Sequence, residues 1–84
     1  MQKKELHISS LIVQMRAHKA TPIKKSINAL SGAEVITISP EGKAIVVLEA
    51  PHQRQIMEII DSINALDGVL NTGLVYHEFE TIES

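Results

Sequence analysis

Chemistry in this sequence would have to start from four histidines and a pair of serines. His7, His18, His52 and His77 are of the residue type best suited to bind a metal or move a proton near neutral pH. No two of them stand three or four residues apart, so no helix can present two on one face. The chain has no cysteine, which removes thiolate zinc sites, iron–sulfur ligation, thiol nucleophiles and disulfides. His7 and His77 can approach one another if the first and last extended segments pair, but two ligands do not make a structural zinc site. No metal and no cofactor are expected, and His18 and His52 read as surface residues. Ser9 and Ser10 lie in an apolar run with no histidine–acid partner suggested by position. Serines in such runs are far more often packing residues than nucleophiles. The loop that follows, Arg16-Ala17-His18-Lys19-Ala20, offers cations but no glycine to bring backbone amides around a phosphate. No catalytic residue emerges, and the protein is not expected to be an enzyme.

The length of 84 residues, with 44% hydrophobic and 21% charged side chains, fits one small globular domain spanning residues 1–84. Tyr76 and Phe79 are the two aromatic residues, too few to stack on bases, and no nucleic-acid partner is expected. No apolar run reaches the length of a membrane span, and Met-Gln-Lys-Lys-Glu-Leu-His lacks the apolar core of a signal peptide. The expected compartment is the cytoplasm, without membrane insertion. Charge is unevenly spread. Up to Lys25 six basic residues oppose Glu5, a local balance of +5, whereas from Ser26 onward Lys43 and Arg54 oppose nine acids, a balance of −7. That asymmetry suits a cationic ligand on the later elements.

The elements that must position these residues come from a repeat. Ser26-Ile27-Asn28-Ala29-Leu30-Ser31-Gly32 recurs as Ser62-Ile63-Asn64-Ala65-Leu66-Asp67-Gly68, an offset of 36 residues. The same offset lays Ile8 to Ala17 over Ala44 to Gln53, and Ile38 over Leu74. Ile8 to Met15 reads as a strand. Thr21-Pro22 reads as an N-cap and first helical residue, and Ile23, Ile27 and Leu30 recur at helical spacing. Glu34 to Ser39 and Ala44 to Ala50 read as a hairpin about Pro40-Glu41-Gly42-Lys43. Ile56, Ile59, Ile60, Ile63 and Leu66 line a second helix, and Val69 to about Phe79 is the last strand. Residues 1–5 and 80–84 are expected to fray.

The order βαββαβ, with right-handed crossovers, predicts an α+β ferredoxin-like split βαβ fold. Its four-stranded antiparallel sheet has order 4-1-3-2, with both helices on one face and the other face bare. Alternation puts Ile45, Val47 and Glu49 on one side of the third strand and Ala44, Val46, Leu48 and Ala50 on the other. A glutamate is rarely buried unpaired, so Glu49 marks the bare side. Carried through the repeat, that side also takes Ser9, Leu11 and Val13. The apolar patch Leu11, Val13, Ile45 and Val47 is then either a docking surface or a homodimer interface.

Three segments resemble the NapD family: Ser10-Leu11-Ile12-Val13-Gln14, Ile45-Val46-Val47-Leu48-Glu49-Ala50 and Gly73-Leu74-Val75-Tyr76-His77. The glycine-terminated helix before each later strand resembles it too. The resemblance runs from about His7 to Glu78 and departs from the usual pattern at Pro51-His52-Gln53-Arg54. It implies a cytoplasmic maturation chaperone for the catalytic subunit of periplasmic nitrate reductase. Members bind the twin-arginine signal peptide of that precursor and hold it from the Tat translocase until its cofactors are inserted. Those cofactors belong to the client. On this reading Leu11, Val13, Ile45 and Val47 take the apolar side of the peptide and Glu49 meets its arginines. The family's Leu-Val-Tyr-His segment implies that Val75, Tyr76 or His77 also touches the peptide. The competing reading is a homodimeric regulatory or structural module using the same face, and the expected state is a monomer or weak homodimer.

Overall fold

The structure, a computed structural model, describes residues 3–83, with side chains described for residues 5–78. Strand β1 (Lys3–Met15) leads through a single 3-10 turn, Ala17–Lys19, into helix α1 (Ala20–Asn28). Strands β2 (Ala33–Ile38) and β3 (Lys43–Ala50) form a hairpin, and helix α2 (Gln53–Asn64) precedes the long strand β4 (Val69–Glu83). The sheet order is β2-β3-β1-β4 with every neighbouring pair antiparallel, which is the expected α+β ferredoxin-like arrangement. α1 packs beside β2, and α2 lies across β3 and β4.

Local sequence accounts for most boundaries. Thr21 does not cap α1: the 3-10 turn runs straight into the helix, which Lys19 precedes without a side-chain cap. Pro22 therefore sits third in the helix, where its missing N–H is still one of those with no intrahelical acceptor. The β2–β3 turn closes through Ser39, whose amide donates to the Lys43 carbonyl (2.8 Å) and whose Oγ accepts the Lys43 amide (3.1 Å). Gly32, at φ +85°, ends the first repeated helix segment. A Cβ there would lie 2.3 Å from the Glu49 carbonyl oxygen, so only glycine lets β2 start this close to β3. The Gly32 carbonyl accepts the Glu49 amide (2.7 Å), and the carbonyl of its repeat partner Gly68 accepts the Arg16 amide (2.8 Å).

The β1–β4 ribbon is longer than the sequence pattern suggested. Pairing continues to Lys4 opposite Ile82 and Lys3 opposite Glu83, where fraying was expected; residues 1, 2 and 84 of those expected tails lie outside the described residues. The extra length makes the molecule elongated, 49 × 18 × 16 Å.

The core fills the space between sheet and helices. Ile23 and Ile27 of α1 and Ile56 and Ile63 of α2 meet Val35, Ala44, Val46, Leu48 and Ala50 from β2 and β3. From β1 they meet Leu11, Val13 and Met15, with Leu11 1% and Val13 0% exposed. Leu11 and Val13 thus face the helices, as does Ser9, and not the bare side of the sheet where the repeat had placed them. The reason lies in the connections. Buried Met15 precedes buried Ile27 by twelve residues, whereas buried Ala50 precedes the equivalent Ile63 by thirteen. A difference of one residue carries the opposite set of strand side chains to the core.

Candidate functional site

Nothing in the described chain covers the second face of the sheet, and cross-strand pairing gives its rows. Reading β3, β1, β4, the first row to span all three strands is Glu49, Ile8, Glu78, with Leu6 of β1 beyond it where only β1 and β4 pair. The next, starting on β2, is Glu34, Val47, Ser10, Tyr76, followed by Thr37, Ile45, Ile12, Gly73 and then Lys43, Gln14, Asn71. The third-strand assignment holds, since Ile45, Val47 and Glu49 are the open-face residues of β3. From β1 the open face takes Ile8 and Ile12, each partly exposed, in place of Leu11 and Val13. Ile8, Ile12, Ile45 and Val47 form the apolar centre. Ile36, an extra residue where the β2–β3 register shifts, is exposed beside them.

The last strand divides between the two faces. A register shift opposite Ser10 and Leu11 inserts Val75 as an unpaired residue, which bends and twists the strand there. Tyr76 falls on the open face opposite Ser10, and its hydroxyl donates to the Glu78 carboxylate. Val75 borders the same face. His77 turns the other way, opposite Ser9 on the helix-covered side, so it is not placed to touch a ligand on the open face.

Two depressions mark the open face. One, of about 290 Å³ between β2 and β3, is lined by Glu34, Ile36, Val47 and Glu49 among others. The other, of about 220 Å³ between β1 and β4, lies where Gly73 has no side chain and is edged by Ile12, Gln14 and Val75. An added Cβ on Gly73 would meet nothing within 4 Å, so this second depression is open to solvent.

On the covered side a polar chain joins β1 to β4. Ser9 Oγ lies 2.7 Å from His77 Nδ1, and His77 Nε2 lies 3.3 Å from His7 Nδ1. The Glu5 carboxylate stands 3.6 Å from His7 Nε2. A carboxylate only accepts, which favours the hydrogen of His7 on Nε2. His77 Nε2–H then donates to His7 Nδ1, and the Ser9 hydroxyl donates to His77 Nδ1. Ser9 therefore has a histidine partner, His77, which the sequence positions did not suggest, while the Glu5 carboxylate stands against His7. Ser9 is 0% exposed, so no substrate reaches its Oγ, and the chain of bonds acts as a clasp between strands. Ser9→Ala keeps the packing and removes one hydrogen bond to a partly solvated ring. It is expected to lower unfolding stability by about 1 kcal/mol, as urea denaturation will show. Among the described residues no group of three histidine or acidic side chains converges on a point that could hold a metal ion. No helix among them is long and apolar enough to cross a membrane.

Comparison with known proteins agrees with this architecture. The family model described as NapD protein matches residues 6–81. The chain is 36% identical over 74 residues to Chaperone NapD of Escherichia coli, covering 87% of this chain and 85% of that relative. It is 34% identical over 76 residues to Chaperone NapD of Haemophilus influenzae, covering 89% and 82%. Among solved structures, the solution structure of the E. coli Tat proofreading chaperone protein NapD superposes with a TM-score of 0.81 at 35% identity. That match covers 87% of this chain and 78% of the other. In fold and in sequence over most of its length, this chain belongs to the NapD family of chaperones.

Proposed function

We propose that this protein binds the twin-arginine signal peptide of a periplasmic nitrate reductase precursor on its open sheet face. By covering that peptide in the cytoplasm it delays export until the client's cofactors are in place. The observation that carries this reading is the bare face itself, with Ile8, Ile12, Ile45 and Val47 at its centre and the carboxylates of Glu34, Glu49 and Glu78 at one end. A twin-arginine peptide is basic and then apolar, and both features have a counterpart there. Apolar burial supplies most of the affinity, at about 25 cal/mol per Å². An exposed glutamate–arginine pair contributes only about 0–1 kcal/mol. The peptide contacts are assigned to Ile45, Val47, Glu49, Val75 and Tyr76, with Ile8 and Ile12 in place of Leu11 and Val13, which face the helices, and without His77. The protein holds its partner without transforming it.

Titration with a synthetic twin-arginine peptide, followed by backbone amide NMR shifts, tests this reading. The largest shifts are expected at Ile8, Ile12, Ile45, Val47 and Tyr76. Perturbation confined to α1 and α2 would sink it. Light scattering tests the rival use of the same face: a stable dimer that peptide does not dissociate would favour a homodimeric module.

A further inference from the structure

We infer that the open face holds its peptide in one direction only, with the basic end over Glu34 and Glu49 and the apolar segment running diagonally toward Gly73. This rests on the reading above and adds orientation and register to it.

Among the described side chains the charges of this face are segregated. Glu49 and Glu78 flank Ile8 in the first row and Glu34 stands in the second, whereas Lys43 lies in the last row beside Gln14. A cationic group is attracted to the first end and repelled from the last, and apolar contact alone would not distinguish the two directions.

The two depressions lie along the same axis. The one between β2 and β3 has both Glu34 and Glu49 in its wall with Val47 and Ile36 beside them. It therefore offers a carboxylate pair to a guanidinium and apolar surface to its stem. The one at Gly73 has no charged residue in its lining, and Ile12 and Val75 edge it beside Gln14 and Asn71. It suits an apolar side chain.

Their spacing sets a register. The depressions are separated by about four residues along the strands and about two strand spacings across them, roughly 16 Å on the diagonal. A helix rises 1.5 Å per residue, so about eleven residues, three turns, span that distance. Residues eleven apart lie on the same helix face, so one helix can seat an arginine in the first depression and an apolar residue in the second.

The test uses the full chain, 15N-labelled, with a synthetic peptide of two consecutive arginines followed by an apolar helix-forming segment. The peptide carries a nitroxide at its N-terminal residue in one sample and at its C-terminal residue in another. The N-terminal label is expected to broaden the amides of Glu34, Val47 and Glu49 several-fold more than those of Gln14 and Gly73, and the C-terminal label the reverse. Replacing both peptide arginines by glutamine should erase that preference. The opposite gradient, equal broadening at both ends, or a preference that survives loss of the arginines would each overturn the orientation while leaving the face as the site. Broadening confined to the helices would instead overturn the site itself, and the orientation with it.

Discussion

Replacing Leu11 by alanine is expected to lower unfolding stability by about 2–5 kcal/mol, the usual cost of truncating a fully buried leucine. In a domain this small that is a large part of the total. The same change should leave the peptide affinity of the folded fraction within about twofold. Leu11 is 1% exposed and sits among Ile27, Val46 and Leu48 under the helices, so no ligand on the open face reaches it. Its neighbour Ile12 should behave in the opposite way. Ile12→Ala is expected to cost less than about 1 kcal/mol of stability, because the residue is only partly covered. It should weaken peptide binding about tenfold, the effect of losing two or more buried methyl-sized groups. Urea denaturation and calorimetry on the two variants read both quantities. If Leu11→Ala spares stability and weakens binding, the assignment of faces on β1 is wrong.

The second large effect is expected at Ile45. Ile45→Asp places a carboxylate at the centre of the open face, opposite Ile12 and Thr37, one row further than Val47 from the acidic end. The free protein should fold normally, since Ile45 is already 37% exposed and the new charge stays hydrated. A bound apolar segment would strip that hydration without providing a partner, at a cost of several kcal/mol. Affinity should fall by a factor of about a hundred or more, with the amide spectrum of the free protein intact. Met57→Asp is the control. Met57 is 51% exposed on α2, and a charge there should leave affinity unchanged. Equal losses from the two variants would place the peptide elsewhere.

These expectations turn on something the sequence held but in a place easily passed over. The element order, the hairpin and the isoleucine stripes were legible because each rests on strong local signals: helical spacing, Pro40-Glu41-Gly42 and a repeated heptapeptide. The phase of β3 was legible from Glu49, a residue that cannot be buried alone. The phase of β1 was carried over from β3 through the offset of 36 residues, and that transfer fails when one connection is a residue longer than the other. Gln14 held the right answer. Applied to β1, the rule that Glu49 supplied for β3 puts Gln14 outward and with it Ile8 and Ile12, as the structure has them. The serine–histidine clasp was less accessible. Its partners are 68 and 70 residues apart. Their meeting depends on the β1–β4 register and on the extra residue at Val75, which no local pattern announces. The acidic end has the same character: Glu34, Glu49 and Glu78 come together only through pairing across the sheet.

The exchange of hydrogen bonds at Gly32 and Gly68 bears on how such a chain acquires its shape. Each glycine ends a helical segment in one copy of the repeat, yet its carbonyl is satisfied by an amide from the other copy, Glu49 for Gly32 and Arg16 for Gly68. Neither copy can finish its own corner alone. A half-molecule would leave an acceptor bare and a sheet without its central partner. The repeated sequence therefore encodes one cooperative unit with interlocked halves, which should unfold in a single transition.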